Sequence, residues 1–229
     1  MGRLVAIEGI DGSGKGTQAA RLAETLKAEG RTVALLGFPR YDATFFGARI
    51  GEFLNGVYGE LDHVHPMLAA MLYAGDRWES KELLLESIDT HEYVILDRYV
   101  ASNAAHQGAK FEGAERTQLW QQIEHLEHTL YALPRPDRVI LLDIPADVSR
   151  TLIARKAARN YTSKTTDLQE ADTNYQRRVR ECYLELAREQ SHWRKVDVVH
   201  GDVTGEELAI DDQLRPIDDV AADVRAAVD

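Results

Sequence analysis

The sequence predicts an α/β fold in three layers, with helices on both faces of a parallel sheet. Short apolar runs, β-branched or leucine-rich, alternate along the chain with longer helical patterns. Within those runs apolar and polar residues do not alternate strictly, as expected for strands covered on both faces. The totals bound the size: 229 residues, 44% hydrophobic and 28% charged, suit one globular domain over 1–229 with a substantial core.

The elements follow in order. RLVAIE (3–8) is the first strand and a helix pattern follows over 15–29. TVALLGF (32–38) is the second, ended by Pro39, with helix patterns over 46–54 and 66–89. YVIL (93–96) is the third, and small residues beyond it open another helix. A helix pattern over 114–131 precedes the fourth strand, RVILLDI (138–144). Helix patterns over 146–158 and 169–190 lead to the fifth, VDVVH (196–200). The last twenty residues, with Asp211, Asp212, Asp218, Asp219, Asp223 and Asp229, read as a solvated surface. Trp78, Trp120 and Trp193 are expected in or near the core. Glu124, His125, Glu127 and His128 fit no zinc spacing and read as a solvated helix face.

No internal repeat or Pro/Gly/Ser-rich linker interrupts the pattern. No apolar run approaches a membrane span, and the first residues lack a signal-peptide pattern. The only cysteine, Cys182, cannot pair within the chain, which fits a reducing compartment. A cytoplasmic location is therefore expected. The net charge of −11 argues against nonspecific binding to nucleic acid or anionic lipid. The acids are uneven, however: residues 151–166 contain none, yet hold Arg155, Lys156, Arg159 and Lys164.

In such a sheet, ligands bind beyond the carboxyl ends of the strands. After the first strand comes GIDGSGKGTQ, residues 9–18, whose Gly9, Gly14 and Lys15 have the phosphate-loop spacing. Glycines, here including Gly12 and Gly16, let backbone N–H groups converge on phosphate oxygens. Ser13 and Thr17 add hydroxyls, and Lys15 adds a full charge at the start of a helix. Gly16 stands where the strict motif has Ser or Thr for magnesium, so the metal is expected to lean on carboxylates, Asp11 first.

The second strand delivers Phe38, Arg40 and Tyr41 to the same edge, and the third delivers Asp97 and Arg98. Two arginines opposite a phosphate loop suggest a second phosphate group held by guanidinium forks. Ala101, Ser102, Ala104 and Ala105 leave room for a ligand, and Asn103 among them has an amide suited to a nucleobase edge. Tyr73 and Arg77, four apart, share a helix face. They suit either a wall and donor for a flat ring, or a core tyrosine beside an arginine paired with Asp76 or Glu79. The spacing does not choose.

GIDGSGKGTQ, FPRYD, DRYVASNAA and HQGAK, in this order and over nearly the whole chain, resemble the thymidylate kinase (dTMP kinase) family of nucleoside monophosphate kinases. GKGTQ is also similar to the adenylate kinase loop, but that family's lid and acceptor motifs are not visible. Neither is a guanine-reading NKxD motif, which argues against a non-catalytic nucleotide switch. The resemblance implies a P-loop nucleotide kinase fold with a five-stranded parallel sheet and a small lid, roughly 151–166. It implies transfer from ATP to dTMP with Mg²⁺ in a homodimer.

The same resemblance implies residue roles. Gly9, Gly12, Ser13, Gly14, Lys15, Gly16 and Thr17 would hold ATP. Asp11 would meet the acceptor sugar, Arg98 and the metal. Arg40, Tyr41 and Arg98 would surround the acceptor phosphate. Phe38, Tyr73, Arg77 and Asn103 would pack on or hydrogen-bond thymine. Because the loop offers only Lys15, Arg155 and Arg159 are the candidate lid arginines, with Lys164 behind them. Asp167 and Glu170 either help hold magnesium or complement a helix dipole. His106 stands where relatives usually place Tyr or Phe, near the sugar's 2′ position.

Overall fold

A computed structural model describes residues 2–59, 64–154, 173–188, 190–201 and 210–229. The five strands are β1 (Arg3–Glu8), β2 (Val33–Gly37), β3 (Tyr93–Asp97), β4 (Arg138–Asp143) and β5 (Trp193–Asp197). They form one sheet in the order β2-β3-β1-β4-β5, and every pairing is parallel. Parallel neighbours need crossovers, and helices supply them. These are α1 (Lys15–Ala28), α2 (Phe45–Leu54), α3 (Pro66–Glu79), α4 (Lys81–Thr90), α5 (Val100–Gly108), α6 (Gly113–Glu124), α7 (Ala146–Ala154) and α8 (Thr173–Arg188). A π-helical turn, His125–Leu130, extends α6, and α9 (Ile210–Gln213) and α10 (Ile217–Val228) follow β5.

Residue parity explains the unbroken apolar runs. Leu4 and Ala6 of β1, Val94 and Leu96 of β3, and Val139 and Leu141 of β4 face one core, shared with α4, α5, α6 and α8. Val5, Ile7, Ile95, Ile140 and Leu142 face the other, shared with α1 and α10. The three-layer expectation holds, and all parallel strands end at one edge.

Several expectations need correction. The fifth strand lies at 193–197, not 196–200: only Trp193 and Val196 are buried, so an edge strand with Arg194, Lys195 and Asp197 exposed carries a weak apolar signal. Val199 instead makes an isolated antiparallel bridge with Leu214. The 66–89 pattern is two helices, broken at Ser80, whose hydroxyl accepts from Arg40 Nη1 at 3.2 Å. The acidic tail is not merely solvated surface, because α10 buries Val220, Val224 and Val228 against the sheet. Trp78 is 52% exposed, whereas Trp193 is buried and Trp120 half-buried. Of the presumed solvated helix face, Glu127 is fully buried.

Candidate active site

The loop after β1 turns tightly because glycine tolerates what other residues do not. Gly9, Gly12 and Gly14 have φ of 146°, 78° and 88°. A Cβ on Gly9 would lie 2.6 Å from the Leu142 carbonyl oxygen, so the loop is pressed onto the end of β4. Lys15 opens α1 and curls back, donating to the Ile10 carbonyl at 2.7 Å, with Ser13 Oγ 3.5 Å away. Burial, and then the nearby Arg98 charge, push its ammonium down to about 7. Thr17 is exposed on the first turn of α1.

Across the loop stands the end of β3. Arg98 has φ of 69°, a left-handed backbone that costs a non-glycine residue about 1 kcal/mol or more. Its N–H is tied to the Ile7 carbonyl at 3.0 Å. Its guanidinium donates through Nη2 to Asp11 Oδ1 and through Nη1 to Ser102 Oγ at 3.3 Å, with His106 Nε2 at 3.5 Å. Gln176 from α8 donates to the other Asp11 oxygen at 2.9 Å. Burial would lower the Arg98 pKa, but Asp11, Tyr183, Asp97 and Glu8 together outweigh it and hold the pKa above the ordinary arginine value. Burial pushes the His106 imidazole down to about 3, so it is neutral at physiological pH. A cavity of about 220 Å³ opens here, lined by Asp11, Gly12, Gly14, Lys15, Gly16, Asp97 and Arg98.

Beneath Arg98 lies Glu8, fully buried at the end of β1. It accepts from the Tyr99 N–H at 2.7 Å, Ser102 Oγ at 2.6 Å and Tyr183 Oη at 3.0 Å. Burial raises its pKa, against these hydrogen bonds and the Arg98 charge. Glu8 is not among the expected site residues, although an acid at the end of a doubly buried strand is a signal.

Helix α5 links this station to a second. Ser102 faces Arg98, while Asn103 Nδ2 donates to the Ala70 carbonyl at 3.0 Å and to Glu127 Oε1 at 2.8 Å. Arg77 is paired with neither Asp76 nor Glu79 but forks onto Glu127, through Nε at 2.5 Å and Nη2 at 2.6 Å. Asp76 instead accepts from the Arg40 N–H at 3.1 Å and from Thr44 Oγ1. Glu79 accepts from the backbone of Phe45 and Phe46. Glu127, expected on a solvated helix face, instead lies four residues past buried Ile123 on the same helical stripe.

The remaining expected residues make other contacts. Phe38 is buried, its ring 6.1 Å from that of Tyr99. Tyr41 and Tyr73 pack on the small cluster of Ile50, Phe53, Leu54 and Ala69. Arg155, Arg159, Lys164, Asp167 and Glu170, and with them most of the expected lid, fall outside the described residues.

Comparisons with known proteins identify the family. The thymidylate kinase family model matches residues 7–201. A thymidylate kinase of Mycobacterium tuberculosis is 36% identical over 187 residues, covering 80% of this chain and 85% of that one. A probable thymidylate kinase of Pyrococcus abyssi is also 36% identical, covering 88% and 94%. The solved structure of thymidylate kinase from Candida albicans superposes with a TM-score of 0.69 at 26% identity, covering 99% and 91%. Many proteins share a phosphate loop, but here the matched stretch runs on through the arginine tied to it, and the chain belongs to the thymidylate kinase family.

Proposed function

We propose that this chain transfers the γ-phosphoryl group of ATP to dTMP, giving ADP and dTDP. The observation that carries the reading is Arg98 held against Asp11 at the mouth of the phosphate loop. That contact brings an acceptor-side cation to the donor site, which a nucleotide switch does not need.

The acceptor phosphate is ionised at neutral pH, so its own oxygen is the nucleophile and no general base is required. What remains is to bring two anions together and stabilise charge on the phosphoryl group in flight. Lys15 and the loop N–H groups hold the ATP phosphates. Arg98 holds the acceptor phosphate in line, with Arg40 and Tyr41 as further contacts, and Asp11 orients Arg98 and the sugar. Phe38, Tyr73, Arg77 and Asn103 form the base side. Arg155 and Arg159 are the candidate arginines for the donor phosphates, and the whole acts as one domain.

Magnesium fits this arrangement. Asp97 Oδ1 is buried with no hydrogen-bond partner among the described residues, beside the loop cavity. Both Asp11 oxygens already accept from side chains, so Asp97 is the less engaged of the two carboxylates. Asp97 and Asp11 would hold the ion, with Asp167 and Glu170 completing the set. Among the described residues no three metal-binding side chains cluster, which suits an ion finished by phosphate oxygens and water. Bound Mg²⁺ would neutralise the donor's charge.

A homodimer is supported by α3, where Leu68, Met71 and Trp78 form an exposed stripe next to exposed Phe45. No described helix is long and apolar enough to cross a membrane, which accords with a cytoplasmic enzyme.

The test is ADP release with ATP and Mg²⁺, offering dTMP, dUMP, UMP, AMP, CMP, GMP and thymidine in turn. Strong preference for dTMP is expected. Preference for another acceptor would overturn the acceptor half, and nucleotide binding without any turnover would overturn the kinase reading.

A further inference from the structure

We propose that Glu127, on the π-helical turn, is the positioning residue that makes the base site select an imide. By engaging both Asn103 and Arg77, it leaves only the Asn103 oxygen, an acceptor, for the base edge, and holds the Arg77 guanidinium, a donor, in a fixed place. The inference rests on reading Arg77 and Asn103 as the base-contacting pair.

The orientation of the Asn103 amide is fixed by chemistry. Its nitrogen lies against two acceptors, the Ala70 carbonyl at 3.0 Å and Glu127 Oε1 at 2.8 Å. The flipped amide would set an oxygen against a carboxylate, so only one assignment satisfies the network. Oδ1 is then left buried with no partner among the described residues. Proteins satisfy nearly all such atoms, and an acceptor left over in this way calls for a donor from a ligand.

Arg77 is fixed by the same carboxylate. Its Nε and Nη2 are used on Glu127, while Nη1 makes no hydrogen bond among the described residues. Arg77 and Glu127 are 2% and 0% exposed, so neither is free to swing away. An acceptor beside a donor complements the N3–H and O4 of thymine or uracil. Cytosine presents the reverse, a bare N3 and an N4 amino group, and meets a like partner at both places. Without Glu127 the amide is held by the Ala70 carbonyl alone, and the code is weakened. Its seat on a π-helical turn, where helices often carry functional groups, accords with this role.

The test compares dTMP, N3-methyl-dTMP and dCMP on wild type and Glu127→Gln, with a melting curve to confirm folding. Wild type should reject N3-methyl-dTMP and dCMP. In Glu127→Gln the ratio of kcat/KM for dTMP over dCMP should fall by about tenfold to a hundredfold, with the KM for ATP little changed. A residue that merely stabilised the fold would lower both substrates together and leave the ratio alone.

If wild type turns over N3-methyl-dTMP as well as dTMP, the base-contacting pair is misread and the inference falls with it. If wild type discriminates and a folded Glu127→Gln keeps its ratio, the inference alone is wrong. Should Glu127→Gln fail to fold, Glu127→Asp, which withdraws the carboxylate by one methylene, must lower the ratio in its place. Should neither fold, the wild-type Asn103 side-chain amide decides by NMR. Slow hydrogen exchange that persists with dTMP bound is expected, and exchange at a free-amide rate overturns the role.

Discussion

Arg98, at the end of β3, reaches the Asp11 carboxylate inside the phosphate loop, 87 positions earlier in the chain. On the proposed reading, the contact links the donor and acceptor sides of the reaction. Ser102 and His106 stand at its other nitrogen, and Glu8 lies behind. The left-handed backbone of Arg98 is thus held from several sides, as a strained residue must be.

Arg98→Ala should therefore abolish transfer while leaving nucleotide binding nearly intact. An arginine that stabilises phosphoryl transfer contributes on the order of a thousandfold or more, and kcat should fall by that factor. ATP affinity, read by fluorescence or calorimetry, should stay close to wild type. Arg98→Lys should not rescue it, because one ammonium cannot span Asp11 and Ser102 as a fork does. Turnover near wild type in either variant would remove Arg98 from the acceptor site.

A proton should accompany the donor phosphate. Burial and Arg98 hold Lys15 at about 7, so at pH 8 most molecules carry it neutral. A phosphate chain beside it raises that pKa, and binding takes up a proton. ATP affinity should then weaken as pH rises above 7, by at most about tenfold per unit, until the bound-state pKa is reached. Below pH 7 the lysine is already charged and the dependence should flatten. Calorimetry at pH 8 in buffers of different ionisation enthalpy should show uptake of close to one proton, lost in Lys15→Met.

Gly16→Ser should harm the enzyme although it restores the usual phosphate-loop residue. A Cβ at position 16 would stand 3.0 Å from Asp97 Oδ2, so the serine and the carboxylate compete for one space. Displacing a carboxylate that supports a metal costs about tenfold to a hundredfold in affinity or activity. Half-saturating Mg²⁺ should rise accordingly while the fold stays intact. An unchanged Mg²⁺ requirement would show that Asp97 takes no part in holding the ion.

The parts legible in the sequence were those written in consecutive residues. The phosphate loop, Asp97 and Arg98 follow buried strands directly, and residue types alone place them at the sheet's edge. Partners supplied from afar were not legible. Glu127 sits 50 positions from Arg77 and Gln176 165 from Asp11, and no local pattern joins them. Ser80 offered no glycine or proline to mark the break between α3 and α4.

The C-terminal helix repeats that lesson in energetic form. Aspartate is the commonest residue of the last twenty, but Val220, Val224 and Val228 recur every fourth residue and form the buried face. Val224 is 0% exposed and lies in the same core as Val5, Ile7 and Ile140. Val224→Ala should cost about 2 kcal/mol through the lost methyl groups and the cavity they leave. For a chain of this size that lowers Tm by about 4–8 °C. Asp223→Ala, one position away and exposed, loses only an ion pair to Arg215 and should shift Tm by less than about 2 °C. Turnover at 25 °C should be unchanged in both, since α10 packs on the face of the sheet with α1 and contributes no side chain to the loop cavity. Equal melting of the two variants would mean that the tail is the solvated surface its composition suggests.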